Sequence, residues 1–178
     1  NVGVNPTRTG ILDVLRSMGA DITESNFRDD AEPVCDLTVR HSRLHGTEIG
    51  GAIIPRLIDE LPVIAVAAAF AEGETRFINA ERLRIKESDR LATTRQLLED
   101  LGADVEKIPD GLVVRGRTAL RGGACDGTRD HRIVMSAAVA GARTCTPVVI
   151  RGAQAVRKSY PDFFDDFARL GGLVFQED

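Results

Sequence analysis

Leu91-Ala92-Thr93-Thr94-Arg95-Gln96-Leu97-Leu98-Glu99-Asp100-Leu101-Gly102-Ala103-Asp104-Val105 decides the fold. It reads as a helix ended by Gly102, in the C-terminal position that glycine favours, and then a strand. Leu112-Val113-Val114-Arg115 follows as a second strand. The same order stands upstream. Ile11, Leu12, Val14, Leu15 and Met18 keep helical spacing after the turn Pro6-Thr7-Arg8-Thr9-Gly10. Gly19 ends that helix and Ala20-Asp21-Ile22 starts a strand. Residues 24–33 are expected to form a polar loop before the strand Leu37-Thr38-Val39-Arg40. A third, partial copy has a helix over 163–170, then Gly171-Gly172 and a strand expected at Leu173-Val174-Phe175. The three glycines, 19, 102 and 171, are separated by 83 and 69 residues.

A second kind of helix lies between the copies. Residues 59–72 are Ala-rich and apolar on nearly every face, and Gly73 precedes a strand at 75–78. Residues 130–142 match it, followed by Pro147-Val148-Val149-Ile150. Asp59 and Asp130 are 71 apart, and Lys86 and Lys158 are 72 apart. Such a period marks one supersecondary unit copied along the chain. Helices apolar all round require burial. The expected architecture is therefore α+β: one domain of three βαβαββ-type units, helices packed inside and sheets outside. The units would span about 1–79, 80–151 and 152–178, the first and last incomplete, with a strand of the first expected ahead of Asn1.

Composition narrows the function classes. The 178 residues are 43% hydrophobic but only 4% aromatic, so aliphatic side chains must fill the core. A net charge of −4 and the lack of a basic aromatic stripe argue against nucleic-acid binding. Cys35, Cys125 and Cys145 are odd in number and widely spaced, suggesting neither a disulfide framework nor a zinc site. The apolar run at 61–71 is too short to span a bilayer, and no signal peptide is visible. A soluble, cytoplasmic protein is expected. The opening Asn-Val-Gly-Val-Asn-Pro lacks a Met, so a piece of a longer protein is also expected.

Charged residues cluster at equivalent helix starts. Arg84-Ile85-Lys86-Glu87-Ser88-Asp89-Arg90 opens one helix, and Lys158-Ser159-Tyr160-Pro161 stands in the matching place one unit later. Asp59 and Asp130-His131-Arg132 open the two inner helices. Taken singly, each is well explained as a helix cap or a solvated first turn. Pseudo-threefold equivalence would bring them to one end of the domain. Helix N-termini there, with Arg8, Lys86, Arg90, Arg132 and Lys158, predict a strongly basic end that suits a small, multiply charged anion.

Together these motifs resemble the 5-enolpyruvylshikimate-3-phosphate synthase family. Asn5-Pro6-Thr7-Arg8-Thr9-Gly10, Ile58-Asp59-Glu60-Leu61-Pro62, Lys86-Glu87-Ser88-Asp89-Arg90, Asp130-His131-Arg132 and Lys158-Ser159-Tyr160-Pro161 occur in the family's order along the chain. Ile58-Asp59-Glu60-Leu61-Pro62 is similar to the wording of the glyphosate-tolerant class II branch. Arg82 departs from the acidic residue often found at that position. The resemblance implies one lobe, the C-terminal, of a two-lobed inside-out α/β barrel whose N-terminal lobe is missing.

It also implies transfer of the enolpyruvyl group of phosphoenolpyruvate to the 5-hydroxyl of shikimate-3-phosphate, with no metal or organic cofactor, in a monomer. Asp59 would take the hydroxyl proton and Lys86 would bind the same region of shikimate-3-phosphate. Glu87 would handle the proton on the methylene carbon. Arg90 and Arg132 would hold the phosphoenolpyruvate carboxylate, Lys158 would lie near its phosphate, and His131 would line the site. The related UDP-N-acetylglucosamine enolpyruvyl transferase shares the architecture but not the two charged motifs. A non-catalytic anion-binding repeat module, or an RNA-end cyclase, is the remaining alternative.

Overall fold

A computed structural model describes residues 1–29 and 31–176. In chain order the elements are β1 (Val2–Gly3), α1 (Gly10–Ser17), β2 (Asp21–Asp29), β3 (Pro33–Arg40), β4 (Glu48–Ile49) and α2 (Ile54–Leu57). Then come α3 (Leu61–Ala69), β5 (Glu74–Phe77), α4 (Arg90–Asp100), β6 (Asp104–Ile108) and β7 (Gly111–Arg115). The last are β8 (Gly123–Asp126), α5 (His131–Gly141), β9 (Val148–Arg151) and α6 (Phe163–Arg169). Short 3-10 turns at Gly51–Ile53, Glu81–Ile85 and Ala153–Lys158 precede α2, α4 and α6.

The repeat is visible in the pairing. α3 connects β4 to the parallel strand β5, and α5 connects β8 to the parallel strand β9. After α1 and α4 the chain turns back as the antiparallel pairs β2–β3 and β6–β7. Gly19, Gly102 and Gly171 carry φ of +93°, +86° and +99°, the left-handed conformation that ends a helix where a side chain would be strained. The strands form three separate sheets, β1-β3-β2, β4-β5-β7-β6 and β8-β9, and close no barrel among the described residues.

Helices occupy the inside. Leu61, Ala65 and Ala69 of α3 are fully buried, as are Ala137 and Ala140 of α5. Small side chains let these helices lie close, and large ones beside them fill the gaps. Burying Leu61 or Ile64 contributes about 1.5–3 kcal/mol each. Leu97 and Leu98, with Leu101 just past its end, bury the matching face of α4, and Phe77, Leu112 and Val114 cover the layer from the β4-β5-β7-β6 sheet. Ile11, Leu15, Val63, Val66, Phe70 and Val139 line an apolar groove of about 240 Å³ in which Arg143 is the one charged lining residue.

Two expectations are corrected. Residues 24–29 are strand: β2 runs to Asp29 and pairs from Asp21↔Arg40 to Asp29↔Pro33, with an irregularity between Ser25 and Arg28. Its side chains are nearly all exposed, so it has no apolar alternation to read. Leu173-Val174-Phe175 is not a strand, because no strand among the described residues pairs with it. β1 pairs antiparallel with β3 as β5 does with β7, so the first unit has the same strand pairing as the second.

The three cysteines are free; Cys35 and Cys125 are buried and Cys145 is exposed. Burial, with Asp100 and Asp126, pushes the Cys125 thiol up to about 11. Since the thiolate is the nucleophile, iodoacetamide should give one adduct per native chain, at Cys145. Mass spectrometry reads it; an early adduct on Cys125 contradicts the packing around β8. No helix among the described residues is long and apolar enough to cross a membrane.

Candidate active site

The starts of α3, α4 and α5 and the end of the Ala153–Lys158 turn meet at one end of the molecule. Arg90, the first residue of α4, lies at their centre and is 1% exposed. It donates through Nε to Asp130 Oδ2 at 2.8 Å and through Nη2 to Asp130 Oδ1 at 3.3 Å. Nη1 donates to Asp59 Oδ1 at 2.8 Å, and Nη2 also to Glu87 Oε2 at 2.6 Å. A guanidinium has five N–H donors, so one is left over for anything else. Such a buried cation is tolerable only because carboxylates surround it.

Each sequence-derived candidate lies in or beside this network. Asp59, just ahead of α3, faces Lys86 Nζ at 3.4 Å, Arg8 Nη2 at 3.6 Å and Arg132 Nη2 at 3.9 Å. Glu87 Oε1 meets Lys158 Nζ at 3.4 Å. Lys86 and Lys158 both stand where a 3-10 turn ends, so their equivalence holds in space as well as in sequence. His131 is 6% exposed and its Nδ1 is buried without a partner among the described residues. Lys158 also borders a shallow depression of about 280 Å³ with Arg129, Gly152 and Gln154. Arg82 sits exposed on the Glu81–Ile85 turn, outside the cluster.

Three participants were given no role in the site from the sequence. Asp130 is fully buried, and besides Arg90 it accepts from Ser88 Oγ at 2.9 Å and from the backbone N of Arg132 at 2.9 Å. It is the helix cap that the sequence suggested, and it also ties the two charged motifs together. Ser88 is the second link. Glu60 is the third: its Oε1 lies 3.3 Å from Arg132 Nη1 and 3.8 Å from Arg8 Nη2. The pattern that could have exposed these residues is contact between motifs 40 or more residues apart, which spacing does not encode.

The expected strongly basic end is corrected accordingly. Five cations (Arg8, Lys86, Arg90, Arg132, Lys158) face four carboxylates (Asp59, Glu60, Glu87, Asp130), a formal balance of +1. The helix starts are also partly taken. Asp89 caps α4 by accepting from Ala92 N, and Asp130 caps α5.

The ion pairs set the protonation states. Burial alone would raise the Asp59 carboxyl, but Arg90, Lys86 and Arg132 outweigh it and hold it below the usual range. Burial would likewise raise Asp130, and bonds from Arg90, Ser88 and the Arg132 backbone reverse the sign. Glu87 is held down by its own backbone N–H, then by Arg90 and Lys158 against burial. Burial, then Arg132, pushes His131 below an ordinary histidine. The resting site therefore holds two ionised, partly exposed carboxylates, Asp59 and Glu87, on opposite arms of one guanidinium. Each can accept a proton, and the flanking cations can hold an anion between them. The described residues contain no group of three or more His, Cys, Asp or Glu arranged to hold a metal.

Residues 1–167 match the family model described as EPSP synthase (3-phosphoshikimate 1-carboxyvinyltransferase). The 3-phosphoshikimate 1-carboxyvinyltransferase of Pelotomaculum thermopropionicum is 54% identical over 170 residues, covering 95% of this chain and 39% of that protein. The solved EPSP synthase of Acinetobacter baumannii superposes with a TM-score of 0.92 at 38% identity, covering 96% of this chain and 40% of that one. The enolpyruvyl transferase NikO of Streptomyces tendae, at 22% identity and a TM-score of 0.66, shares the fold. The chain thus spans about two fifths of the length of these relatives.

Proposed function

This chain belongs to the EPSP synthase family, and we propose that it supplies the C-terminal wall of a site that makes 5-enolpyruvylshikimate-3-phosphate. The substrates would be phosphoenolpyruvate and shikimate-3-phosphate, the second product inorganic phosphate, and the setting the cytoplasmic shikimate route to chorismate. The carrying observation is the placement of Asp59 and Glu87 on separate nitrogens of Arg90, with Lys86, Arg132 and Lys158 around them.

The chemistry needs those two carboxylates in different roles. Protonating C3 of phosphoenolpyruvate makes C2 electrophilic, and the 5-hydroxyl oxygen attacks it as its own proton leaves. The tetrahedral adduct then loses a methyl proton and phosphate, restoring the double bond. Asp59 would take the hydroxyl proton, with Lys86 beside it. Glu87 would give the proton to C3 and later receive one back. Because Glu87 is ionised at rest, it must gain a proton once the site fills. Several negative charges on the bound substrates, and exclusion of water by the second lobe, would raise its pKa in the required direction.

Arg132 would grip the phosphoenolpyruvate carboxylate, since its fork matches a planar anion, and Lys158 would act as a point charge on phosphate. Arg90 enters more narrowly than the resemblance implies. With one free N–H, it would position Asp59 and Glu87 and lend a single bond to the carboxylate. His131, neutral at pH 7, would line the site without adding charge.

The test is a chimera in which this chain replaces the matching 39% of the Pelotomaculum relative. The chimera should release phosphate from the two substrates, and this chain alone should not exceed a buffer control, because it holds one wall of the site. Silence from a folded chimera, or turnover by the chain alone, overturns the reading. UDP-N-acetylglucosamine offered in place of shikimate-3-phosphate should give no phosphate.

A further inference from the structure

We infer that Glu60 is a placeholder carboxylate: it occupies Arg132 while the site is empty and yields it to the incoming ligand carboxylate. Glu60 stands at the start of α3 and Arg132 in the first turn of α5, so their pairing spans the two inner helices. Glu60 Oε1 takes the Nη1 arm of Arg132 at 3.3 Å. Asp59 Oδ2 approaches the Nη2 arm only to 3.9 Å. This is the arm-by-arm arrangement a bound carboxylate would have, made here from two residues of the chain and drawn out at one end.

The pair is poorly finished, and that suits a contact made to be exchanged. Glu60 Oε2 is buried and accepts no hydrogen bond, and Arg132 Nε is buried and donates none. A permanent buried ion pair fills such positions, as Asp130 and Arg90 do with two bonds plus Ser88. Arg132 keeps 29% of its side chain exposed, against 1% for Arg90, so Arg132 is the more reachable of the two from solvent. Arg8, 57% exposed and 3.8 Å from Glu60 Oε1, gives the displaced carboxylate a second cation to move toward.

Glu60 is thus a specificity-determining residue, setting how strongly the site takes an anion without touching the reacting atoms. This rests on the proposed assignment of the ligand carboxylate to Arg132. Glu60→Gln keeps the volume and removes the competing charge. In the chimera it should lower KM for phosphoenolpyruvate roughly 2- to 5-fold, the span expected for a partly exposed ion pair, and leave kcat within about 2-fold. Glu60→Ala should shift KM the same way, and an Arg132→Gln background should abolish the shift. Equilibrium binding of phosphoenolpyruvate, by calorimetry, should tighten in parallel.

If the wild-type chimera turns over and Glu60→Gln leaves KM unchanged or raises it, the placeholder role is wrong and the proposed reaction stands. If the wild-type chimera releases no phosphate, the reaction is wrong and binding alone decides Glu60. Tighter phosphoenolpyruvate binding in Glu60→Gln then supports the role; equal, weaker or undetectable binding overturns it.

Discussion

Asp130→Ala should destabilise the protein by about 3–5 kcal/mol, because it takes from the buried Arg90 cation the one of its three carboxylates that is itself fully buried. Arg90 cannot shed its proton and is 1% exposed, so no water can replace the two bonds it loses. The same substitution removes the cap of α5 and the acceptor of Ser88 Oγ. In a unit of this size the thermal midpoint should fall by roughly 6–20 °C. The double variant Arg90→Leu/Asp130→Leu should be less destabilised than Asp130→Ala, because apolar groups can replace a buried pair but not half of one.

Acid provides a sign test. The folded-state carboxyl of Asp130 is depressed, so its stabilisation is present above the unfolded pKa of about 3.9 and is lost as pH falls through the lower folded value. The gap between wild type and Asp130→Ala should therefore hold at neutral pH and narrow only below about pH 4. A midpoint within 2 °C of wild type at pH 7, or a gap that closes between pH 8 and 6, would show that Asp130 does not carry the Arg90 charge.

Elements buried on one face or all round were legible in the sequence because burial leaves a period. Ala65, Ala69, Ala137 and Ala140 announce close-packed inner helices, and Gly19, Gly102 and Gly171 mark where the outer ones end. The extension of β2 past Ile22 was not legible, since from Thr23 to Asp29 its side chains are exposed on both faces and all but Phe27 are polar. The site divides similarly. Every candidate from the motifs reaches the cluster or its rim, because copied units put equivalent helix starts at one end. The sign of the cluster was misjudged, because Asp59 and Asp130 looked like caps and Glu60 like part of a motif's wording. A cap accepts from a backbone N–H with one oxygen and leaves the other free for a cation. Asp130 uses Oδ1 for the Arg132 backbone and Oδ2 for Arg90 and Ser88. Only packing reveals the second use.

Glu87→Gln separates catalysis from binding most sharply. Its expected result in the chimera is a loss of kcat on the order of 10²- to 10⁴-fold, the range for a positioned acid or base. KM for phosphoenolpyruvate should change much less. Arg90 keeps Asp130 and Asp59, so the frame survives weakening of its bond to residue 87. Glutamine matches the volume and can still accept from Arg90 through its amide oxygen, but it cannot carry a proton to carbon and take it back. Lys158 gains freedom, because the carboxylate oxygen 3.4 Å from its Nζ no longer bears charge. A cation released toward the substrate phosphate should hold KM steady or lower it, so a rise in KM matching the fall in kcat points to a binding role. A variant that turns over at the wild-type rate moves the C3 proton to another group. The nearest alternative is then Asp59, whose carboxylate shares the same guanidinium.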